Sequence, residues 1–473
     1  MVFNSLEFFI FLPIVTLLFY LFPHKWRWAL LLVASCFFYM WFVPKYILIL
    51  LVTILIDYSC GILMERWEGK PRWRKSCLIV SIISTCSVLF IFKYLNFASA
   101  NYIALAEMLH WPHPEHALNI ILPIGLSFHT FQSLSYIIEV YRGNQKAEHH
   151  FGYYSLYVMF YPQLVTGPIE RPQNLLRQLH EEKPLLYDNV ARGCRLILFG
   201  LFLKMVVADN LGGYVDKIYS APADFSSLDI ALGLLLYSFQ IYADFFGYST
   251  IAIGCALTMG FTLMDNFKTP YLADSIQDFW RRWHISLSSW FRDYVYIPLG
   301  GNRVAVPRWI LNTLLVFTIC GIWHGANWTF LVWGAGHGLL LVLERPIRQW
   351  QKRHQEIPKA RKIARSTVGV VVTFVLVTLL WSVFRAPSFS ALYNVHHALL
   401  HNFHAANALS VNATTWGALA AFILIDVLLF KTRFDEWCAK FPGWLRWLIY
   451  TAAIFAIIVC SSVEQYPFIY FQF

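Results

Sequence analysis

The strongest constraint on this chain is that its apolar residues are gathered into about a dozen long runs, each near the length that crosses a bilayer. The runs lie near 7–22, 28–43, 46–64, 78–95, 119–141, 151–166, 192–208, 228–261, 310–343, 366–384, 416–430 and 445–463. Only 14% of the residues are charged and 58% are hydrophobic. A soluble globular protein is excluded because too few charged side chains remain to cover a water-facing surface. The sequence therefore predicts an all-α polytopic integral membrane protein, although several runs are too short or too broken to be simple spans.

Basic residues are concentrated in alternate loops between the apolar runs. The segments 66–75 and 345–365 are rich in Arg and Lys, whereas 94–141 and 386–416 contain neither. Lys and Arg are retained on the cytoplasmic side of a membrane. We therefore predict that the N-terminus lies outside the cytoplasm. The net charge of +10 is explained by this topology and by attraction to anionic lipids, so nucleic-acid binding is not expected.

A polar, glycine-rich sequence interrupts the run 310–343. It reads GIWHGANW at 321–328, followed by GAGHG at 334–338. Non-helical backbone at membrane depth is tolerated only inside protein or against a water-filled cavity. We therefore expect His324 to line such a cavity; the alternative is a buried histidine that is hydrogen-bonded to a neighbouring helix. For His337, the surrounding glycines favour close helix packing.

A second polar block, DSIQDFWRRWHISLSSWFRDYVYIPLGGNR, occupies 274–303. Its aromatic and aliphatic residues recur at helical spacing. Arg281, Arg282 and Arg292 belong to the polar residues that occupy much of the opposite side of this helix. This spacing predicts one amphipathic helix, with His284 between the two faces. This helix either lies on the membrane surface or directs its arginines at an anionic, phosphate-bearing substrate that approaches from the cytoplasm.

Two further segments combine proline and glycine at the ends of apolar runs. They are LPIGLSFHTFQ at 122–132 and YPQLVTGPIERP at 161–172. Proline removes a backbone donor and interrupts helices, so the second segment predicts a re-entrant or sharply turned element. We interpret both segments as scaffold of the cavity wall.

These four blocks, together with the terminal PFIYFQF, resemble the membrane-bound O-acyltransferases, and most closely their bacterial alginate O-acetyltransferase branch. The resemblance runs from the first helix to the last residue. It implies one membrane domain over 1–473, with a catalytic core at about 119–343 and C-terminal helices at 366–463. It also implies a ring of tilted helices around a transmembrane tunnel, which the acyl donor enters from the cytoplasm and the acceptor from outside.

The resemblance implies an essential histidine at His324, within a Trp-His-Gly sequence, and a second polar residue at His284. Acyl transfer from a thioester to a hydroxyl needs a base near neutral pH, and imidazole titrates there. We interpret His324 as the general base and His284 as a positioning or electrostatic partner. His284 and Asn327 are the candidate donors to the oxyanion.

Further candidates surround these histidines. The candidate tunnel and donor-binding residues are Trp280, Arg281, Arg282, Trp323 and Asn327. The expected donor is acetyl-coenzyme A, whose phosphates the two arginines would bind. The chain has no G-x-S-x-G sequence, so a covalent acyl-enzyme is not required, although Ser286, Ser288 and Cys320 stay open as nucleophiles. The histidines have no third ligand at fitting spacing, so no metal site is expected.

The resemblance also implies partners. Family members of this length hand the acetyl group to an exported serine-hydrolase-like protein, which completes transfer to the polymer beside the polysaccharide synthesis and export machinery. We favour alginate as the polymer, with cellulose, peptidoglycan or D-alanyl transfer to teichoic acid as alternatives. A secondary transporter is an alternative from another class, but the break at 321–338 has no visible counterpart in the first half of the chain.

Overall fold

The computed structural model describes residues 1–116, 118–165, 167–353, 359–403, 408–461 and 466–469, and helices are the regular secondary structure of this part of the chain. The last four residues of the terminal PFIYFQF lie outside this part. Seven helices among the described residues are long and apolar enough to cross a membrane: Pro44–Arg66, Pro71–Leu109, Ser227–Thr258, Val306–His324, Trp328–Trp350, Arg365–Arg385 and Gly443–Cys460. The prediction of an all-α, multi-pass membrane protein is confirmed.

The described residues pack into two compact units, and the first comprises Met1–Ile197 and Ile251–Met264. Its helices are α1 (Leu6–Leu21), α2 (His24–Met40), α3 (Ile47–Arg66), α4 (Pro71–Leu89), α5 (Leu95–Leu109), α6 (Leu126–Arg142), α7 (Phe151–Met159), α8 (Tyr161–Leu164) and α9 (Pro172–His180). Hydroxyl groups join α3 to its neighbours: Thr53 Oγ1 lies 2.6 Å from His129 Nε2, and Ser81 donates to Asp57 over 2.5 Å. Polar pairs thus connect helices within the first unit.

The segment 161–172 turns sharply, as the sequence predicts. Helix α7 ends at Met159, α8 makes a single turn, and α9 begins only at Pro172. The other segment packs against this turn at Gly125, whose φ is +79° and where an added Cβ would lie 2.7 Å from the carbonyl oxygen of Leu164. Only glycine combines that backbone conformation with so close an approach.

The second unit comprises Leu198–Thr250 and Asp265–Phe473. Its helices are α11 (Asp209–Ser220), α13 (Ile276–Arg282), α14 (Ile285–Phe291), α15 (Val306–His324), α16 (Trp328–Arg353), α17 (Lys359–Arg385), α18 (Phe389–His401), α19 (Ala413–Leu428), α20 (Phe434–Ala439) and α21 (Gly443–Cys460). Helices α10 (Tyr187–Leu201) and α12 (Ser227–Thr258) contribute residues to both units. A π-helical segment, Phe202–Ala208, joins α10 directly to α11.

Helices α15 and α16 form a hairpin whose backbones touch. A Cβ added at Gly334 would lie 2.3 Å from the carbonyl oxygen of Phe317, and one at Gly321 would lie 2.2 Å from that of Phe330. Small residues allow such close approach between membrane helices. The predicted break is short, because only 325–327 separate the two helices, and the glycines at 334–338 are helical.

The block at 274–303 is not the single amphipathic helix that its spacing predicts. Helix α13 ends at Arg282, and α14 begins at Ile285. Between them, Trp283 is extended, fully buried and packed against Phe279 and Trp381, at ring-centroid distances of 5.6 and 4.9 Å. Tertiary packing of this indole overrides the local helical periodicity.

Candidate active site

His324 is the last residue of α15 and lies in an aromatic enclosure. Its ring centroid is 4.9 Å from that of Trp323, 5.0 Å from that of Trp333 and 5.5 Å from that of Phe384. Only 3% of the residue is exposed. The enclosure restricts the ring and surrounds it with apolar surface, a setting in which electrostatic interactions are stronger than in water.

His284 occupies the turn between α13 and α14 and is equally buried. Its φ is +41°, in the left-handed region that non-glycine residues rarely adopt. Such conformations cost of order 1–3 kcal/mol, persist only where surrounding structure enforces them, and are frequent at functional sites. The imidazole makes an edge contact with Phe245 at a centroid distance of 4.6 Å. The imidazole is therefore directed by a strained backbone and a fixed aromatic ring.

Asn266 determines the tautomer of His284. The Asn266 Oδ1 atom accepts from the backbone N–H of Ser286 over 3.3 Å, while its Nδ2 donates to Ser249 over 2.9 Å. His284 Nδ1 lies 3.4 Å from the same oxygen and must therefore be the donor. Burial lowers the pKa of His284 to about 3, so the ring is neutral at physiological pH. Its Nε2 atom then presents a lone pair that can accept a hydrogen bond.

The two histidines, forty residues apart in the sequence, both pack near one indole, that of Trp323. The centroid of this indole is 6.4 Å from that of His284 and 4.9 Å from that of His324. His284, His324 and Trp323 were candidate site residues on sequence grounds, whereas Asn266 and Phe245 were not. Asn266 carries no motif of its own, and only its position beside the turn gives it a role.

A cavity of about 680 Å³ lies beside this site. It follows α15 from Trp309 to Cys320, a distance of about 16 Å at 1.5 Å per residue. Trp280, Ser288 and Phe317 also line it. Residues four apart on a helix lie on the same face, so the Cys320 end is one helical turn from His324.

Four arginines line the cavity: Arg281, Arg292, Arg345 and Arg348. The guanidinium of Arg345 stacks over Trp309 at 4.1 Å, and its buried Nη1 atom has no hydrogen-bond partner among the described residues. Arg348 pairs with Glu344 at 3.3 Å. The cavity therefore combines an apolar wall with a basic rim that can bind an anion bidentately.

The two adjacent arginines of the predicted donor site, Arg281 and Arg282, have different surroundings. Arg281 lines the cavity. Arg282 instead donates from Nε to Asp278 over 2.7 Å and stacks over Phe430. Successive helical residues differ by about 100° in direction, so the structure separates two side chains that the sequence analysis treated together.

The other candidates are engaged in internal contacts. Asn327 donates from Nδ2 to the carbonyl of Pro387 over 2.7 Å and accepts from the backbone N–H of Thr329. Trp280 lines the cavity and donates from Nε1 to His337 Nδ1 over 3.2 Å. His337 is thus a packing residue in α16. The roles of Asn327 and His284 as oxyanion donors, and of His284 as a positioning residue, stay predictions.

A family model described as the membrane-bound O-acyltransferase family matches residues 144–384, which contain both histidines and the cavity. The chain is 38% identical to a probable alginate O-acetylase of Pseudomonas aeruginosa, over 84% of this chain and 75% of that protein. The chain belongs to the membrane-bound O-acyltransferase family. Its relatives in this family include a peptidoglycan O-acetyltransferase of Helicobacter pylori, 35% identical over 79% of this chain and 73% of the relative. A teichoic acid D-alanyltransferase of Bacillus subtilis is 28% identical over 59% and 71%, respectively.

Membership in the membrane-bound O-acyltransferase family identifies the chain as an O-acyltransferase that crosses the membrane several times. It is thus an enzyme rather than a secondary transporter. The tunnel, the domain bounds and the individual residue roles implied by the resemblance stay predictions.

Proposed function

We propose that this enzyme transfers acetyl groups from cytoplasmic acetyl-coenzyme A for the O-acetylation of an exported polysaccharide. Among the polysaccharides, we favour alginate. The observation that carries the proposal is the arginine-rimmed cavity that follows α15 to within one helical turn of His324. The similarity to alginate and peptidoglycan acetylating relatives supports the acetyl group over other acyl groups.

The cavity suits a donor with an anionic head and a thin apolar arm. Its volume of about 680 Å³ is within the 300–1,000 Å³ that is common for small-molecule sites. Arg281 and Arg345 would bind phosphates of the donor, because guanidinium groups match phosphate geometry. The thioester arm would then lie along α15 and bring the acetyl carbonyl past Cys320 towards His324.

The two imidazoles supply the chemistry of acyl transfer. His324 takes the proton from the acceptor hydroxyl as its oxygen attacks the thioester carbonyl. The carbon–sulfur bond then breaks, the ester forms, and the proton passes to the departing thiolate of coenzyme A. His284 accepts a hydrogen bond at Nε2 and thereby orients the acceptor hydroxyl. The aromatic enclosure of His324 excludes water, which would otherwise hydrolyse the thioester.

The distribution of basic residues supports the direction of transfer. Arg345 and Arg348, on the rim of the cavity, begin the basic segment 345–365, which the positive-inside rule assigns to the cytoplasm. We infer that the donor enters from the cytoplasm of a bacterium through its inner membrane and that the N-terminus is periplasmic. The acceptor is a periplasmic serine-hydrolase-like partner or the polymer itself.

Reconstituted enzyme tests the proposal. In vesicles without an ion gradient, we expect release of free coenzyme A from acetyl-coenzyme A and transfer of labelled acetate to alginate oligomers or to the exported partner. Activity only with a D-alanyl thioester would replace the proposal by teichoic acid D-alanylation, for which the Bacillus subtilis relative is named.

The substitution Arg345→Gln tests the donor site. We expect the KM for acetyl-coenzyme A to rise about tenfold, since a hydrogen bond to a charged group contributes about 1.5–3 kcal/mol, while kcat changes little. Arg308→Gln is the matched control, because Arg308 is exposed on α15 and does not line the cavity. An unchanged KM in the Arg345 variant would contradict phosphate binding at this rim.

A further inference from the structure

A buried cation binds the C-terminal segment 466–469 within the second unit. Lys204 is 1% exposed, and its Nζ atom lies 2.7 Å from Asp209 Oδ1 and 2.8 Å from Asp244 Oδ1. The same ammonium donates to the backbone carbonyl of Tyr466 over 2.9 Å. Burying charges is costly even when they are paired, so this cluster is poorly explained as a device for stability alone.

The cluster holds both ends of the short segment 466–469. Besides the bond from Lys204 to Tyr466, Asp244 Oδ2 accepts from the backbone N–H of Ile469 over 2.7 Å. The Phe468 side chain lies between these two bonds and is 0% exposed. We call Lys204, Asp209 and Asp244, with the segment 466–469, the C-terminal clamp.

The segment in the clamp packs behind the turn that holds His284. The ring of Phe468 is 4.6 Å from that of Tyr248 and 5.8 Å from that of Phe245, centroid to centroid. Phe245 in turn meets the imidazole of His284 edge-on at 4.6 Å. A continuous series of buried contacts therefore joins Lys204 to His284.

This series of buried contacts can hold His284 in its left-handed backbone conformation. A strained residue relaxes when its surroundings loosen, and Phe245 is the ring that closes one side of the imidazole. If Phe468 moved away, Phe245 would gain space and His284 could leave its conformation.

We propose that Lys204 is a positioning residue that, through the C-terminal clamp and Phe245, fixes the orientation of His284. Only the catalytic consequence of this inference rests on the proposed function; the clamp and the placement of His284 are physical properties that can be measured without acyl transfer.

Two measurements on the purified full-length chain test the inference without an activity assay. They are hydrogen exchange of the peptide that contains Ile469, and the rate at which diethyl pyrocarbonate modifies His284. In Lys204→Met, we expect both rates to rise about tenfold or more, because the backbone loses a buried partner and opens locally. Lys217→Met is the matched control, since Lys217 is an exposed lysine in α11, and neither rate should change.

A second variant guards against misfolding of the first. Phe468→Ala leaves every charge of the C-terminal clamp in place but removes the ring behind Phe245, so the modification of His284 should again accelerate. The double variant should be no faster than the faster single variant, because both act through one segment. Normal reactivity of His284 in both folded single variants, or additive effects in the double variant, would overturn the inference.

Kinetics distinguish this inference from the proposed function. If the wild type transfers acetyl groups, both variants should lower kcat and leave the KM for acetyl-coenzyme A unchanged, because the lining of the cavity includes no residue of the C-terminal clamp. A higher KM with an unchanged kcat would overturn the positioning role. If the wild type is inactive with acetyl-coenzyme A, the proposed function fails, and the exchange and modification rates still decide the inference.

Discussion

Replacement of His324 by alanine is expected to lower the rate of acetyl transfer by about 10²- to 10⁴-fold, the contribution that is usual for a general base. The KM for acetyl-coenzyme A should stay nearly constant, because the cavity and its arginines are unchanged. The measurement is kcat of the reconstituted enzyme at saturating donor, corrected for the amount of folded protein.

The control for this variant is His397→Ala. His397 is an exposed histidine on α18, so its removal should leave kcat unchanged. If His324→Ala were folded and transferred acetyl groups at the wild-type rate, the assignment of His324 as the base would be wrong.

Replacement of Gly334 by alanine is expected to lower the stability of the protein strongly. The new Cβ would lie 2.3 Å from the carbonyl oxygen of Phe317 and 3.0 Å from Cα of Gly321. Both are backbone atoms, so the conflict cannot be relieved by rotating a side chain. Overpacking costs typically 1–3 kcal/mol, and we expect the upper part of that range. A lower melting temperature of the purified protein is the measurement.

Gly417→Ala is the matched control for this substitution. Gly417 also lies within an apolar helix, α19, but no atom lies within 4 Å of an added Cβ. Alanine is favoured over glycine in helices by roughly 1 kcal/mol, so this variant should melt no lower than the wild type. Equal melting temperatures for Gly334→Ala and the wild type would contradict the close contact between α15 and α16.

Patterns that depend on composition were predictable from the sequence. Runs of apolar residues specify helices in a membrane, because backbone groups must be satisfied within each segment. The proline-rich turn before Pro172 and the interruption after His324 followed from residues that disfavour helix. These features depend on local chemistry, which a single sequence contains.

Features that depend on tertiary packing were not predictable. The spacing of 274–303 favoured one helix, but burial of Trp283 breaks it and places His284 in a left-handed conformation. Whether Arg281 or Arg282 faces the cavity depends on how a two-turn helix is rotated about its axis. Two neighbouring arginines in a sequence do not show this rotation. Asn266 acquires its role only because the fold brings it to His284.

The aromatic packing around His324 has a consequence for the membrane as a barrier. Many membranes store energy as a proton gradient, and any path for substrates across such a membrane is also a possible path for protons. Trp323, Trp333 and Phe384 close around the imidazole itself. If His324 is the base in the proposed reaction, the residue that takes up the proton is therefore enclosed by apolar rings, which would oppose the passage of protons and small ions past it.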